Sequence, residues 1–162
     1  QGGGEAATLE PLHEHLFEYK THMMQNYGAG VQACYRGPRL YDTPETQAAV
    51  TEVIQWYKKY RDILNSDMIH LRRPDARDWD GFIHVNPHKK EKGLAMFFNP
   101  THQEITRTIH IPLYYTGLTQ TARIREKEQK PVTYKLNRDY TVELTVKIPA
   151  NVYTWYVVEA AD

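Results

Sequence analysis

The spacing of apolar residues along the chain changes near Asn65. Before this point apolar side chains recur every three or four residues, the spacing of a helix face, on either side of one short strand. After it, apolar and polar residues alternate from Met68 to Val158, as they do in strands. The pattern predicts an α+β chain, with a helix-strand-helix segment over residues 1–65 and an antiparallel β-sandwich over residues 66–162.

Two helices are predicted in the first segment. The first spans residues 8–27, with the helix proper starting at Glu10 or Pro11 because proline is tolerated only in a first turn, and Gly28 is expected to end it in the left-handed conformation. The second spans residues 44–64, because the sequence DTPE from Asp42 supplies a capping side chain, a proline at the first helical position and an acid in the first turn. The apolar stripes predicted to face the core are Leu12, Leu16, Tyr19, Met23 and Met24 in the first helix, and Val50, Val53, Ile54, Tyr57, Arg61 and Leu64 in the second.

A short strand is predicted between the helices, over residues 31–35. If it belongs to a parallel barrel, its alternation places Arg36 at the carboxyl end of the strand, the side on which barrel enzymes carry their chemistry. A lone strand between two helices has two unpaired edges. We therefore expect this segment to need further strands, supplied by the same parent chain or by a second chain.

About eight strands are predicted in the second segment. The clearest covers residues 141–148, in which every even position is apolar and every odd position is polar. Strands of this length separated by short turns are typical of an antiparallel sandwich or barrel. The predicted strands span residues 68–72, 81–86, 94–98, 105–111, 113–115 extending towards 124, 132–136, 140–148 and 152–159.

Composition and charge narrow the range of partners. Twenty basic residues balance twenty acidic ones, so no overall field attracts nucleic acid or anionic lipid. No apolar run approaches the roughly 18 residues of a membrane span. The single Cys34 excludes an internal disulfide and leaves the compartment open, with secretion or the periplasm as options for a parent protein. The 12 tyrosines and 3 tryptophans are common both in β-sandwiches and on surfaces that contact sugars.

The densest polar and aromatic cluster lies on the loop before the second helix. It consists of Tyr35, Arg36, Arg39, Tyr41 and Asp42. An arginine here could hold a sugar hydroxyl or an acidic partner, and a tyrosine could stack on a sugar ring. Alternatively, the aspartate caps the helix and the arginines pair locally. The sequence leaves both interpretations open, although loops are frequent places for binding residues.

Other chemistry-bearing residues favour structural roles. Asp75, Asp78 and Asp80 resemble part of a calcium loop, but the spacing and the absence of the distal glutamate favour a salt-bridged turn with the neighbouring arginines. The eight histidines are scattered, so neither a metal site nor a cofactor is predicted. Four aromatic residues could form a carbohydrate platform, but packing within the sandwich explains them more simply. They are Tyr114, Tyr115, Trp155 and Tyr156.

Three stretches of sequence resemble the C-terminal end of large bacterial glycoside-hydrolase-like proteins. They are QGGGEAATLEPL from Gln1, QNYGAGVQACYRGPRLYD from Gln25 and GLAMFFNP from Gly93. The arrangement is similar to that of the α-galactosidase clan, in which a (β/α)8 catalytic barrel precedes an antiparallel β-sandwich. The resemblance implies that residues 8–27, 31–35 and 44–64 are the seventh helix, eighth strand and eighth helix of such a barrel.

The resemblance also sets an expectation for function. The clan works with two carboxylates on earlier barrel strands, and this chain holds no residues that correspond to them. We therefore expect a C-terminal, non-catalytic portion of a carbohydrate-active enzyme, whose natural partner is the remainder of the barrel and in which Arg36 and Arg39 line a sugar subsite. The alternative is a free-standing carbohydrate-binding or protein-interaction β-sandwich.

Overall fold

A computed structural model describes residues 9–31 and 39–161. The chain divides into two compact units, residues 1–64 and residues 65–162. The order of elements, with helices first and antiparallel strands after them, confirms the predicted α+β class. Apart from residue 31, which lies in a bend, the strand predicted at 31–35 falls outside the described residues.

The first unit contains two helices, α1 (Leu16–Gly28) and α2 (Pro44–Leu64), after a short 3-10 turn at Leu12–Glu14. The predicted start of the first helix, at Glu10 or Pro11 within residues 8–27, was wrong, because the first turn is a separate 3-10 turn and the α-helix begins at Leu16. The expected role of Gly28 was also wrong. That residue is still helical, and the left-handed conformation occurs at Gly30, with φ of 77°.

The two helices bury much of the predicted stripes. In α1 the buried side chains include Tyr19, Met23 and Met24. In α2 the buried face includes four residues that the sequence pattern missed, and Arg61 is exposed although it was placed on the apolar face. The buried residues of α2 are Thr46, Ala49, Val50, Val53, Tyr60, Ile63 and Leu64. The helices contact each other through the rings of Tyr27 and Tyr57, whose centroids lie 5.1 Å apart.

The second unit is a β-sandwich of unequal sheets. Its strands are β1 (Asp67–Arg72), β2 (Asp80–Val85), β3 (Glu91–Phe98), β4 (Ile105–Pro112), β5 (Thr121–Glu126), β6 (Val132–Lys135), β7 (Thr141–Ile148) and β8 (Tyr153–Glu159). One sheet has the order β1-β2-β3-β8-β5-β6 and the other pairs β4 with β7, with all pairs antiparallel. The chain therefore crosses between the sheets at β3–β4, β4–β5, β6–β7 and β7–β8.

The core of this unit lies between the two sheets. The alternation predicted for residues 141–148 is confirmed, because Val142, Leu144, Val146 and Ile148 are buried while the residues between them are exposed. They pack with alternate side chains of the larger sheet, among them Ile83, Val85, Ala95, Phe97, Ile124 and Val158. Two strand glycines lie where an added Cβ would be crowded by neighbouring atoms. A Cβ on Gly81 would lie 2.5 Å from the Met96 carbonyl oxygen, and one on Gly93 would lie 3.2 Å from Val158 Cβ.

One predicted strand, at residues 113–115, is not a strand. Leu113 is buried and donates its N–H to the Tyr140 carbonyl, and the chain then turns through a 3-10 turn at Tyr114–Thr116. The turn ends at Gly117 with φ of 78°. The three consecutive apolar and aromatic residues 113–115 were predicted to be a strand, but they form a corner. The hydrogen bond that fixes this corner is accepted by Tyr140, which is far away in the sequence.

The motif GLAMFFNP ends in a buried corner at Asn99. Its Nδ2 donates to the carbonyl oxygens of Gln103, Ile148 and Pro149 at 2.8, 3.0 and 3.1 Å. Its Oδ1 accepts hydrogen bonds from the N–H and Oγ1 of Thr101 at 3.0 and 2.7 Å. One side chain therefore joins the end of β3 to the end of β7, across the two sheets.

Candidate functional site

The loop before α2 is anchored by Asp42. The carboxylate accepts hydrogen bonds from the backbone N–H of His13 at 3.1 Å and, at 2.8 Å, from the Nδ1 of its ring. Thr46 Oγ1 donates to the other carboxylate oxygen at 3.1 Å. Burial opposes ionisation, but the hydrogen bonds from His13 and Thr46 outweigh it and lower the pKa of Asp42 to about 2. The carboxylate is therefore ionised across the ordinary pH range.

The start of α2 is capped by Thr43. Its Oγ1 accepts a hydrogen bond from the N–H of Thr46 at 3.3 Å, while Thr46 Oγ1 in turn accepts from the N–H groups of Asp42 and Thr43 at 3.0 Å. This reciprocal arrangement satisfies N–H groups that a helix start would otherwise leave without partners. It leaves the Asp42 carboxylate free to hold His13.

Arg39 and Tyr41 face the solvent from the same loop. Arg39 Nη2 lies 3.1 Å from Glu10 Oε2, and about half of the arginine side chain, 53%, remains exposed. Tyr41 is 45% exposed. The backbone between them is held because Tyr19 Oη donates to the Leu40 carbonyl at 2.7 Å. The loop thus presents a guanidinium and a phenol on a fixed backbone.

The structure brings three of the five sequence-derived candidates together, namely Arg39, Tyr41 and Asp42. The other two, Tyr35 and Arg36, lie outside the described residues. Arg39 and Tyr41 can donate hydrogen bonds to a hydroxyl or carboxylate, and Tyr41 offers one aromatic face, while the ionised Asp42 supports the loop as a hydrogen-bond acceptor.

Two residues outside this loop contact it and were missed by the sequence analysis. His13 and Glu10 each lie 29 positions from their partners, Asp42 and Arg39. No spacing rule connects residues at that separation, and a histidine beside the first helix gave no signal of its own. The imidazole is half-exposed and oriented by the carboxylate, so it can exchange hydrogen bonds with a ligand.

The acidic segment before β2 is a salt-bridged turn, as the sequence favoured. Arg72 donates to both carboxylate oxygens of Asp75 at 3.1 and 2.8 Å and to the Trp79 carbonyl at 2.6 Å. Arg107 of β4 pairs with Asp78 at 3.2 Å. The hydrogen bonds and charge of Arg72 hold the pKa of Asp75 well below its usual range.

Asp80 differs from Asp42 and Asp75 because its pKa is raised and theirs are lowered. It is half-buried at the start of β2, and burial raises its pKa to about 6, with Arg72 opposing the shift and Asp75 adding to it. A carboxyl group with this pKa can act as a general acid. Glycoside hydrolysis requires a second carboxyl group across the bond, and the neighbouring Asp75 is occupied by Arg72.

The four aromatic residues considered as a carbohydrate platform separate into two pairs. Trp155 and Tyr156 are buried, and the ring of Tyr156 packs edge-on against Phe97 at 5.7 Å in the core. Burial, with a contribution from Glu126, raises the pKa of Tyr156. Tyr114 and Tyr115 are instead exposed, at 60% and 64%. Only the second pair is accessible to a ligand.

The described residues contain neither a metal-binding cluster nor a helix able to span a membrane. Across residues 9–31 and 39–161, no three His, Cys, Asp or Glu side chains lie close enough together to hold a metal ion. Neither of the described helices combines the length and apolar character needed to cross a bilayer.

The fold of the chain is similar to parts of several solved structures. No protein-family model and no curated protein sequence matches the chain. In solved structures it is similar to α-galactosidase I from Mortierella vinacea, with 11% identity, coverage of 90% of this chain and 36% of that chain, and a TM-score of 0.57. It is also similar to a Bacteroides fragilis protein that is provisionally assigned as an α-galactosidase, with 12% identity. The match covers 90% of this chain and 29% of that chain, and the TM-score is 0.55.

A third neighbour comes from Bacillus halodurans and is provisionally assigned as an α-N-acetylgalactosaminidase. The two chains are 9% identical, and the match covers 88% of this chain and 31% of the neighbour's chain, with a TM-score of 0.57. In fold, the chain resembles part of a glycoside hydrolase. The chain spans about a third of the length of these structures, and the likeness confirms the resemblance in architecture that the sequence indicated.

Proposed function

We propose that this chain is the C-terminal, non-catalytic portion of a glycoside hydrolase, in which the β-sandwich supports a catalytic barrel. The observation that carries the proposal is the uneven coverage of the comparisons. About nine-tenths of this chain aligns with about a third of each α-galactosidase-like chain. A fold that corresponds to one part of a multi-part enzyme is best explained as that part.

The helical unit supports the same interpretation. It contributes four of the eight large apolar side chains that are exposed among the described residues. They are Phe17, Val31, Leu40 and Tyr41, with exposed fractions from 45% to 76%. A unit of two helices with so many exposed apolar groups is typical of a surface that meets further protein. In this proposal, that protein is the rest of the barrel.

The loop before α2 gives the proposed portion a role beside the substrate. In a barrel the loops that follow the strands line the active site, and this loop presents Arg39 and Tyr41 outward on a backbone anchored by Asp42. We propose that these residues, together with Tyr35 and Arg36, contact the sugar. The catalytic acids would lie elsewhere in the parent protein.

The test compares three proteins. The first is this chain, the second is the gene product extended upstream of Gln1, and the third is that longer product without residues 66–162. We expect hydrolysis of an aryl α-galactoside or a related aryl glycoside by the second protein alone. The third should have a lower melting temperature than the second, because the support of the sandwich is lost.

The outcome that would contradict the proposal is turnover by this chain alone. A matched control separates real activity from contamination, because Asp80 is the described carboxyl group whose pKa is best suited to general acid catalysis. If this chain alone hydrolysed the glycoside and the Asp80→Asn variant did not, the catalytic carboxyl group would lie within the sandwich.

A further inference from the structure

Three tyrosines form a patch on the β-sandwich, which we call the tyrosine patch: Tyr114, Tyr115 and Tyr140. The rings of Tyr114 and Tyr115 are 5.1 Å apart and nearly perpendicular, at 89°. Those of Tyr114 and Tyr140 are 5.3 Å apart at 77°. Edge-to-face packing holds aromatic rings in a defined arrangement. The patch therefore presents exposed ring surface without relying on a partner to order it.

The backbone beneath the tyrosine patch is held by hydrogen bonds. Tyr140 has φ of 64°, a conformation that bulky residues seldom adopt. It is retained because the Tyr140 carbonyl accepts from Leu113 and its N–H donates to Asn137, both at 2.9 Å. The 3-10 turn that carries the other two rings is closed by Thr116 Oγ1, which donates to the Leu113 carbonyl at 2.5 Å. Both sides of the patch are thus anchored to one buried residue, Leu113.

A groove with a volume of about 410 Å³ adjoins the tyrosine patch, and Tyr140 forms one of its walls. Its other lining residues are mostly polar and include Gln120, Lys135, Asn137 and Arg138, with no acidic residue among them. The structure gives the side chains of Gln120, Lys135 and Arg138 no hydrogen-bond partner among the described residues. The volume lies within the range of small-molecule sites, which combine aromatic walls with a few polar groups.

We propose that the tyrosine patch and its groove form a binding site for an oligosaccharide. A sugar ring has one face of C–H groups, which packs on an exposed aromatic ring, and a rim of hydroxyls that needs donors and acceptors. Tyr115 supplies the ring, while Gln120, Asn137 and Arg138 supply the polar groups. Because Tyr140 belongs to both the patch and the groove, a chain of several sugar rings can contact both surfaces.

The charge of the groove favours one class of oligosaccharide. Lys135 and Arg138 carry two positive charges, and no carboxylate of the described residues lines the groove to neutralise them. An oligosaccharide with carboxylate groups is therefore expected to bind more tightly than a neutral one, with a stronger dependence on salt. This inference goes beyond the supporting role proposed above and does not depend on it.

The experiment titrates the isotopically labelled full chain with maltohexaose, cellohexaose and hexagalacturonate while its amide NMR signals are recorded. We expect at least one sugar to shift signals around the tyrosine patch and the groove. Tyr115→Ala should weaken that binding about five- to tenfold, the loss expected for one aromatic stacking contact. Tyr115 is 64% exposed, so the strand signals of the variant should stay in place.

A matched control and a competing ligand make the result decisive. Phe17→Ala removes a comparably exposed aromatic ring from the helical unit, one with no proposed sugar contact, and should leave sugar binding unchanged. A proline-rich peptide tests the other common ligand of exposed tyrosines. The proposal would be overturned by the absence of shifts with all three sugars, by sugar binding that Tyr115→Ala does not weaken, or by shifts at the patch with the peptide alone.

Discussion

Removing the side chain of Asn99 should destabilise the sandwich strongly. The amide is 2% exposed and joins the end of β3 to the turn after β7. Its two N–H groups serve three backbone carbonyls, and its oxygen accepts two hydrogen bonds from Thr101. Four hydrogen bonds can form at once, two donated and two accepted. Asn99→Ala removes all of them.

The loss in free energy of unfolding depends on which of the broken hydrogen bonds water can replace. Each hydrogen bond contributes on the order of 0.5–1.5 kcal/mol to stability. The groups of Thr101 and Gln103 can be hydrated when the amide is lost, but the Ile148 carbonyl is buried. We therefore expect Asn99→Ala to lower the free energy of unfolding of this unit by about 2–4 kcal/mol. For a domain of this size the melting temperature would fall by roughly 10–25 °C.

Amide hydrogen exchange in β7 provides the assay, because the amides of buried strands exchange through opening of the whole cooperative unit. The matched control is Asn137→Ala. That asparagine is exposed and its side chain makes one hydrogen bond, to Thr141 Oγ1 at 3.2 Å. Its loss should cost less than about 0.5 kcal/mol, as is usual for surface substitutions.

A second variant tests the direction of the hydrogen bonds. Asn99→Asp keeps the shape but turns a carboxylate oxygen towards three carbonyl oxygens. It should be no more stable than Asn99→Ala at neutral pH and should recover part of the loss at acidic pH, where the protonated carboxyl can donate once. The reasoning would be refuted if Asn99→Ala cost no more than Asn137→Ala, or if Asn99→Asp matched the parent protein at pH 7.

Three further predictions concern the same unit. Gly81→Ala should cost about 1–3 kcal/mol in chemical denaturation, because its Cβ would meet a backbone carbonyl, whereas Gly93→Ala should cost less, because it meets only side-chain atoms. In β7, Leu144→Ala should cost about 2–5 kcal/mol and the neighbouring Thr145→Ala less than about 0.5 kcal/mol, and equal losses would contradict the burial pattern. Because the pKa of Asp80 is raised to about 6 in the folded protein, folding takes up a proton between about pH 4 and pH 6, and stability should fall as pH rises through that window. The fall should be on the order of 1 kcal/mol, since solvent screens the half-buried group, and denaturation curves of Asp80→Asn should lack it.

The candidate site shows where sequence reasoning stops. Arg39, Tyr41 and Asp42 were selected because they cluster on a loop before a well-marked helix, and local sequence suffices for that. Their partners could not be selected in the same way. His13 and Glu10 lie 29 positions away and contact the loop only once the chain has folded. The tyrosine patch has the same origin, because Tyr140 meets Tyr114 across a turn that was predicted to be a strand.

Local sequence alone determined the class of each segment, since a side chain's neighbours at two, three or four positions decide which face of a strand or helix is apolar. The alternation in β7 and the capping sequence before α2 are of this kind. Tertiary structure decided what long-range contacts control: the corner after Leu113, the five hydrogen-bond contacts of Asn99 and the exposure of Tyr115 in contrast to the burial of Trp155. Burial and hydrogen bonding depend on which distant segments meet, and the spacing of residues along one segment carries no record of that.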